Sequence, residues 1–380
     1  MHDSSRERQI ALARDALLSG PGGAAALPAL CWGERSWIAR SWQRCLALGH
    51  EPERAVAFEP VERPARSRLA QEHAGLLAAA RPQLQQVGAA VAPLGYFALL
   101  TNAHGVVIEV AGRVDHADRH ALALARVGVD LSERQVGTTA IGAALSEQAP
   151  VWLHRGEHFF RSNSVYSCAG APIFAPHGDC IGMLDLTGVL VAERPELRHL
   201  AAQAARRISD RLVLATGHAL QLRLAWAPGW EAADRTEPHG LVCLDADGQV
   251  TGSNEAARQM LPALRQAGAR SLHASELFAL PWTSLFDLDA RREPTLVPLW
   301  SGLRVQLSAQ RAGASRTPAR GGALPTLRAL EDELIHQAVR EARGNVQEAA
   351  RALGLSRATL YRRLALGRSG GGTKQRKLGG

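Results

Sequence analysis

The chain has 380 residues, 46% of them hydrophobic and 21% charged, with a net charge of +8. That length gives room for two or three domains with their own cores, and no apolar run approaches the ~20 residues that span a bilayer. The positive charge is uneven: Thr326 to Gly380 carries 11 Lys and Arg against 5 Asp and Glu, which directs that segment towards a polyanion. Lys374 and Lys377 are the only lysines. Neither follows a strand and a glycine loop, so a P-loop nucleotide site is excluded.

The five cysteines, Cys31, Cys45, Cys168, Cys180 and Cys243, are odd in number and form no C-x-x-C pair. The opening MHDSSRERQIALARDALL is charged and amphipathic, without a secretory apolar core. Both features predict a reducing, cytoplasmic setting with no membrane contact.

Residues 1–92 are expected to form a helical segment leading into the domain that follows. Ile10, Leu12, Leu17 and Leu18 alternate with charges at helical spacing, and a Gly/Pro/Ala break follows at 20–28. Ile38, Trp42, Cys45 and Leu46 fall on one face of a second helix that Gly49 ends. Arg66 to Ala92 reads as helix interrupted at Pro82, with a stripe of Leu69, Leu76, Leu77, Leu84 and Val87.

Residues 93–215 change character and are expected to be an α/β domain. Tyr96–Thr101 and Val106–Val110 are strand-like around an Asn102–Gly105 turn. A short helix over Thr138–Ser146, a strand at Val151–Leu153, strands at Ala171–Phe174 and Cys180–Leu186, and a long helix over Glu196–Leu214 follow. A small molecule held between sheet and loops would meet Trp152, Phe159, Phe160 and Tyr166 as apolar walls, Glu157 and His158 as polar fixers, and Cys168. His104, His116 and His120 lie in a polar stretch and read as solvated.

His154-Arg155-Gly156-Glu157-His158 spells H-x-x-E-H, a zinc-peptidase pattern. That chemistry needs both histidines on one helix face, and Gly156 and the strand-like Trp152-Leu153 oppose it. Cys168, beside Ser167, Ala169 and Gly170, reads as a small buried residue or a functional thiol. These residues define the alternative of a metal- or thiol-dependent enzyme. The favoured reading has no catalytic residues, no metal and no cofactor.

Residues 216–236 read as a linker and 237–308 as a second small α/β domain. It contains a strand–turn–strand at Gly240–Val250 with Asp247-Gly248 as the turn, a helix capped by Ser253 or Asn254, and a hairpin around Ser301-Gly302. Residues 309–325 are small, basic and rich in Gly and Pro, a flexible linker. The tail, 368–380, reads as disordered.

Residues 326–367 show three short helical blocks. Leu330, Leu334, Ile335, Ala338 and Val339 give the first its apolar face, and Gly344-Asn345 ends it and caps the next. Ala349, Ala350 and Leu353 pack the second, Gly354 turns the chain, and Leu355 and Leu360 anchor the third. Ser356, Arg357, Thr359, Tyr361, Arg362 and Arg363 remain to face double-stranded DNA, Ser356 as N-cap and the rest towards phosphate or base edges.

Three resemblances then appear. Ser41–Cys45 with Gly49, Leu131–Glu133, Gly137–Leu145, Glu157–Phe159, Ser167-Cys168 with Ala171–Ile173, and Gly182–Gly188 resemble, in order, the blocks of acetoin-catabolism (AcoR) type regulators; Thr139 stands where that family usually has Asn. The resemblance implies a GAF-type antiparallel-sheet sensor. Asp245, Gly248, Asn254 and Ala257 resemble a PAS-like spacing. Residues 326–367 resemble the all-α Fis-type helix-turn-helix of enhancer-binding regulators, which implies a homodimer. The ATPase that such regulators place between sensor and helix-turn-helix has no counterpart here. The expectation is an α/β multidomain transcription regulator that responds to a small-molecule effector and acts by occupying DNA, with RNA polymerase as a further partner. Pairing with full-length sigma-54 regulators as an adaptor is a third reading.

Overall fold

A computed structural model of the chain describes residues 8, 10–14, 35–56, 58, 63–226, 239–267, 270–291, 294–313, 339, 345–347, 350 and 360. It separates into two compact units, Met1–Thr317 and Pro318–Gly380.

The first unit begins with helical residues 10–14 and helix α1, Trp37–Ala47, whose Ile38, Trp42 and Cys45 are buried on one side as their spacing predicts. Helix α2, Arg63–Glu72, and α3, Ala74–Val91, break at His73. The expected interruption at Pro82 does not occur: α3 runs through it. Pro82 sits on the exposed side with Ala78, so the carbonyl deprived of a partner lies towards solvent and the usual cost of an interior proline is reduced.

Strands β1, Tyr96–Asn102, and β2, Val107–Ala111, form the expected hairpin. Helices α4, Arg119–Leu124, α5, Glu133–Val136, and α6, Ala140–Glu147, precede β3, Val151–His154, β4, Tyr166–Phe174, and β5, Cys180–Val189. Helix α7, Leu197–Leu214, completes this half. The sheet is antiparallel, in the order β2-β1-β5-β4-β3. Helices α3 and α7 pack on each other and on the strands. Burying Leu77, Leu84, Leu200 and Ile208 there contributes roughly 1.5–3 kcal/mol per large aliphatic side chain. Helix α6 packs on β3, β4 and β5 from the loop-covered face.

The linker expected over 216–236 is the main correction. Leu220–Trp226 is strand β6, paired with two neighbours. Leu220, Leu222 and Leu224 are fully buried while Arg223 is exposed, so the segment LQLRLAW behaves as a half-buried strand. Strands β7, Gly240–Leu244, and β8, Val250–Ser253, follow. Short helices α8, Glu255–Met260, α9, Pro262–Gln266, α10, Ala274–Leu277, and α11, Thr283–Asp287, cover the core side. The expected hairpin is β9, Thr295–Pro298, and β10, Arg304–Arg311, so the linker predicted from 309 begins later. The order β8-β7-β6-β10-β9 repeats that of the first sheet, except that the central place is taken by the strand that enters the domain instead of the strand that ends it.

The PAS-like spacing residues have separate duties. Asp245 accepts N–H bonds from Asp247 and Gln249, and Gly248 turns the chain at φ +82. Asn254 is the N-cap of α8, and Ala257 is a buried residue of that helix. Asn254 uses its whole bonding capacity. Its Oδ1 accepts from Leu241 and Ala257 N–H, each at 2.9 Å, and its Nδ2 donates to Asp210 on α7 at 2.8 Å and to the His239 carbonyl at 2.9 Å.

In the second unit Asn345 Oδ1 accepts the Gln347 N–H at 3.2 Å, as a helix cap does, and Ala350 and Leu360 are buried. Ser356, Arg357, Thr359, Tyr361, Arg362 and Arg363, and the expected tail, lie outside the described residues.

Candidate ligand pocket of the first sheet

Alternation along β5 sorts its side chains. Leu184 and Leu186 turn towards the helices, while Met183, Asp185 and Thr187 turn to the other face. Register pairs Cys168 with Thr187 and Gly170 with Asp185, so β4 and β5 present Tyr166, Cys168, Asp185 and Thr187 side by side. Over them lie Leu124, Leu131, Val136, Thr139, Ala140 and Ile141 from the α4–α6 region, with Phe58, His158 and Asn163. The space between is small and opens to solvent at one side.

The cover is fastened by the N-terminal residues. Arg14 is buried and donates to three carbonyls, those of Phe159 at 2.8 Å, Gly156 at 3.0 Å and His158 at 2.5 Å. Burial lowers its pKa to about 10, which leaves it charged at neutral pH. Arg35 grips Glu157 with two bonds, 2.8 and 2.6 Å, and lies 3.5 Å above the Trp152 ring. Trp42 Nε1 donates to the Glu157 carbonyl at 2.9 Å. Ser41 donates to Glu133, which Arg44 also holds at 2.7 and 2.8 Å. These bonds bring together residues that are separate blocks in the sequence: Trp42 and Arg35 at Glu157, and Ser41 and Arg44 at Glu133. At Gly137, φ +66, a side chain would meet the Phe160 ring at 2.8 Å, so that backbone requires glycine.

The residues expected at a ligand site divide. His158, Tyr166 and Cys168 line the cavity. Trp152, Glu157 and Phe159 do not. Trp152 lies under Arg35, Glu157 is spent on Arg35 and the His154 N–H, and Phe159 packs with Trp42, Ile38 and Ile10. Phe160 joins that same cluster. His154 bonds Ser167, and among the described residues no three His, Cys, Asp or Glu gather as a metal site. The H-x-x-E-H string is therefore the end of a strand and a 3-10 turn whose carboxylate caps its own start.

Asp185 was not anticipated. It is fully buried, its Oδ2 accepts from the Thr187 hydroxyl, and its Oδ1 meets no protein partner. Burial raises its pKa to about 7. His158 lines the same cavity. Its Nδ1 lies 2.9 Å from the Arg155 carbonyl, so it carries the proton there, and its Nε2 has no protein partner. Burial lowers His158 to about 4, leaving it neutral. Burial and the nearby Asp185 raise the Cys168 thiol well above its ordinary range, so it stays protonated and is no nucleophile. The available signal for Asp185 was one carboxylate inside the apolar strand CIGMLDLTGV.

Comparison with known proteins now places the chain. Residues 12–210 match the MimR N-terminal domain model, more than half of the sequence. The chain belongs to the MimR N-terminal domain family. Residues 326–365 match the model for bacterial regulatory proteins of the Fis family. The chain combines that N-terminal domain with a Fis-type helix-turn-helix, a pairing that is similar to AcoR/MimR-type regulators, and the second sheet occupies the chain between the two matches. It is 34% identical over 233 residues to the acetoin catabolism regulatory protein of Cupriavidus necator, covering 59% of this chain and 34% of that one. It is 29% identical over 277 residues to MimR, the propane 2-monooxygenase operon transcriptional activator of Mycolicibacterium smegmatis, covering 72% and 44%. The chain thus spans between a third and a half of these relatives. The E. coli DhaR(N)–DhaL complex is similar to 73% of this chain and 99% of that chain, at 15% identity and a TM-score of 0.44. Among the described residues no helix is long and apolar enough to cross a membrane.

Proposed function

We propose that this chain is a cytoplasmic, ligand-responsive homodimeric regulator that binds double-stranded DNA and acts by occupancy, without hydrolysing ATP. The observation that carries the reading is the order of parts. A pocket-bearing sensor domain and a Fis-type helix-turn-helix are joined by an antiparallel sheet of 220–311, in the place where a motor domain would have to stand. The second domain is read as PAS-like, and RNA polymerase is a candidate contact. Ser356 caps the recognition helix, while Arg357, Thr359, Tyr361, Arg362 and Arg363 meet phosphate and base edges. No cofactor or metal is required.

The test is binding of the full chain to genomic fragments across a salt series. Phosphate contacts make affinity fall steeply with salt, and Arg357→Ala or Arg362→Ala weakens binding by about 1–3 kcal/mol while the far-ultraviolet circular dichroism is unchanged. Absence of binding at low salt overturns the reading. Unchanged affinity in both variants overturns the residue assignment.

A further inference from the structure

The pocket is unusual in which half of each hydrogen bond it leaves over. Tyr166 spends its hydroxyl proton on the His120 carbonyl at 3.2 Å, and Thr139 spends its own on the Leu131 carbonyl at 3.3 Å. The Thr187 proton goes to Asp185 Oδ2. Asn163 gives one amide proton to the Val136 carbonyl at 2.9 Å and keeps a second. His158 Nδ1–H faces the Arg155 carbonyl, so Nε2 offers only a lone pair. Two fully buried atoms have no protein partner: His158 Nε2, which accepts, and Asp185 Oδ1, which accepts once the carboxyl is ionised, as about half the molecules are near pH 7. Among the described residues no Lys or Arg lines the cavity to balance the ionised Asp185.

Buried acceptors and a buried carboxylate cost free energy until donors and positive charge meet them. A carboxylate, ketone or ester would bring further lone pairs to the same wall. An ammonium group brings up to three N–H donors, no acceptor and a positive charge, and the Tyr166 and Phe58 rings beside it suit a cation. The remaining walls, Leu131, Val136 and Ile141, suit a short alkyl chain.

We propose that the pocket binds a small primary alkylamine as its ammonium ion, held by Asp185 Oδ1 and His158 Nε2. The proposal rests on the reading of the chain as an effector-responsive regulator, because it assigns that effector a chemical class.

The test uses the full chain and four probes matched in size: propylammonium chloride, 1-propanol, propanone and sodium propionate, each at the same ionic strength. Binding is followed by calorimetry and DNA affinity by fluorescence anisotropy. Propylammonium is expected to bind at least tenfold more tightly than the other three. Asp185→Asn and His158→Gln are each expected to lower that affinity at least tenfold, with melting transitions still cooperative. Equal or tighter binding of the alcohol, ketone or carboxylate overturns the proposal, as does amine binding that Asp185→Asn leaves unchanged, or no binding of any probe. The two readings fail separately. Amine binding at Asp185 without any change in DNA affinity overturns the effector role and keeps the ligand class. A DNA response to propanone alone keeps the effector role and overturns the class.

Discussion

Asp185 is a carboxyl group placed where charge is costly, and its effect on stability has a defined sign. The folded protein keeps its proton up to about pH 7, whereas an unfolded aspartate releases it near pH 4. Between those values the folded state binds more protons, so stability falls as pH rises through the window. His158 acts oppositely: its folded pKa of about 4 lies below the unfolded ~6.5, so its contribution is lost as pH falls from about 6.5 to 4. Asp185→Asn should therefore be more stable than the parent at pH 8 by on the order of 4 kcal/mol, with the gap closing towards pH 4. Urea midpoints across pH measure it, and a gap independent of pH would remove the buried charge as its cause. If the same variant loses ligand, it is a case of a binding group retained at a cost in stability.

Among the elements, the short N-terminal helical stretch is the one whose role exceeds its size. Through Arg14 it holds the backbone of Gly156, His158 and Phe159, so it fixes the strand-to-turn segment that carries His158 to the cavity. Arg14→Ala leaves three carbonyls without that donor and should cost about 1–3 kcal/mol. Amide hydrogen exchange at 156–160 should quicken ahead of the sheet, and uniform exchange across both would show that Arg14 only stabilises the whole. Glu133→Gln tests the second fastening, because an amide cannot accept from Ser41 and take both Arg44 bonds as a carboxylate does. About 1–3 kcal/mol should be lost, and an unchanged melting temperature would make that cluster incidental. Much of this was legible as blocks. Ser41–Cys45, Leu131–Glu133 and Glu157–Phe159 stood out in the sequence, and the strands of the first sheet followed from their alternation. Their meeting point was not legible, since it joins side chains 89 to 122 positions apart. For the same reason Glu157 passed for a pocket residue. A carboxylate in a family block invites a ligand role until Arg35 is seen on it.

At the scale of the molecule, the two halves of the first unit meet through an apolar contact of Val213 with Leu241 and Cys243 and through hydrogen bonds. The Pro176 carbonyl, in the turn between β4 and β5, accepts from Ser253 N–H at 2.9 Å, and Asn254 ties Asp210 on α7 to the start of α8. Both the turn and α7 belong to the half that carries the pocket. Asn254→Asp keeps an acceptor for the Leu241 and Ala257 N–H groups but loses both donated bonds and sets a carboxylate against Asp210, whose own pKa burial already raises. It should cost about 2–4 kcal/mol and split the melting transition into two. A single cooperative transition at the parental temperature would deny Asn254 that joining role. The central strand of the second sheet is not legible in the sequence, where β6 reads as linker. Its alternation was present, but both its partners are distant: β7 comes after residues 227–238 and β10 more than seventy positions later.

The borrowed central strand bears on how such a regulator can be taken apart. A fragment cut at residue 237 would hold β7 with β8 and β9 with β10, two hairpins that share no neighbour. Each would expose a full row of unpaired amides and carbonyls where β6 belongs. A fragment cut at 215 keeps the sheet whole. Only five residues separate Leu214 from Leu220, so a splice that grafts this sensor onto another output should carry the helix, the strand and the entire second sheet as one cassette.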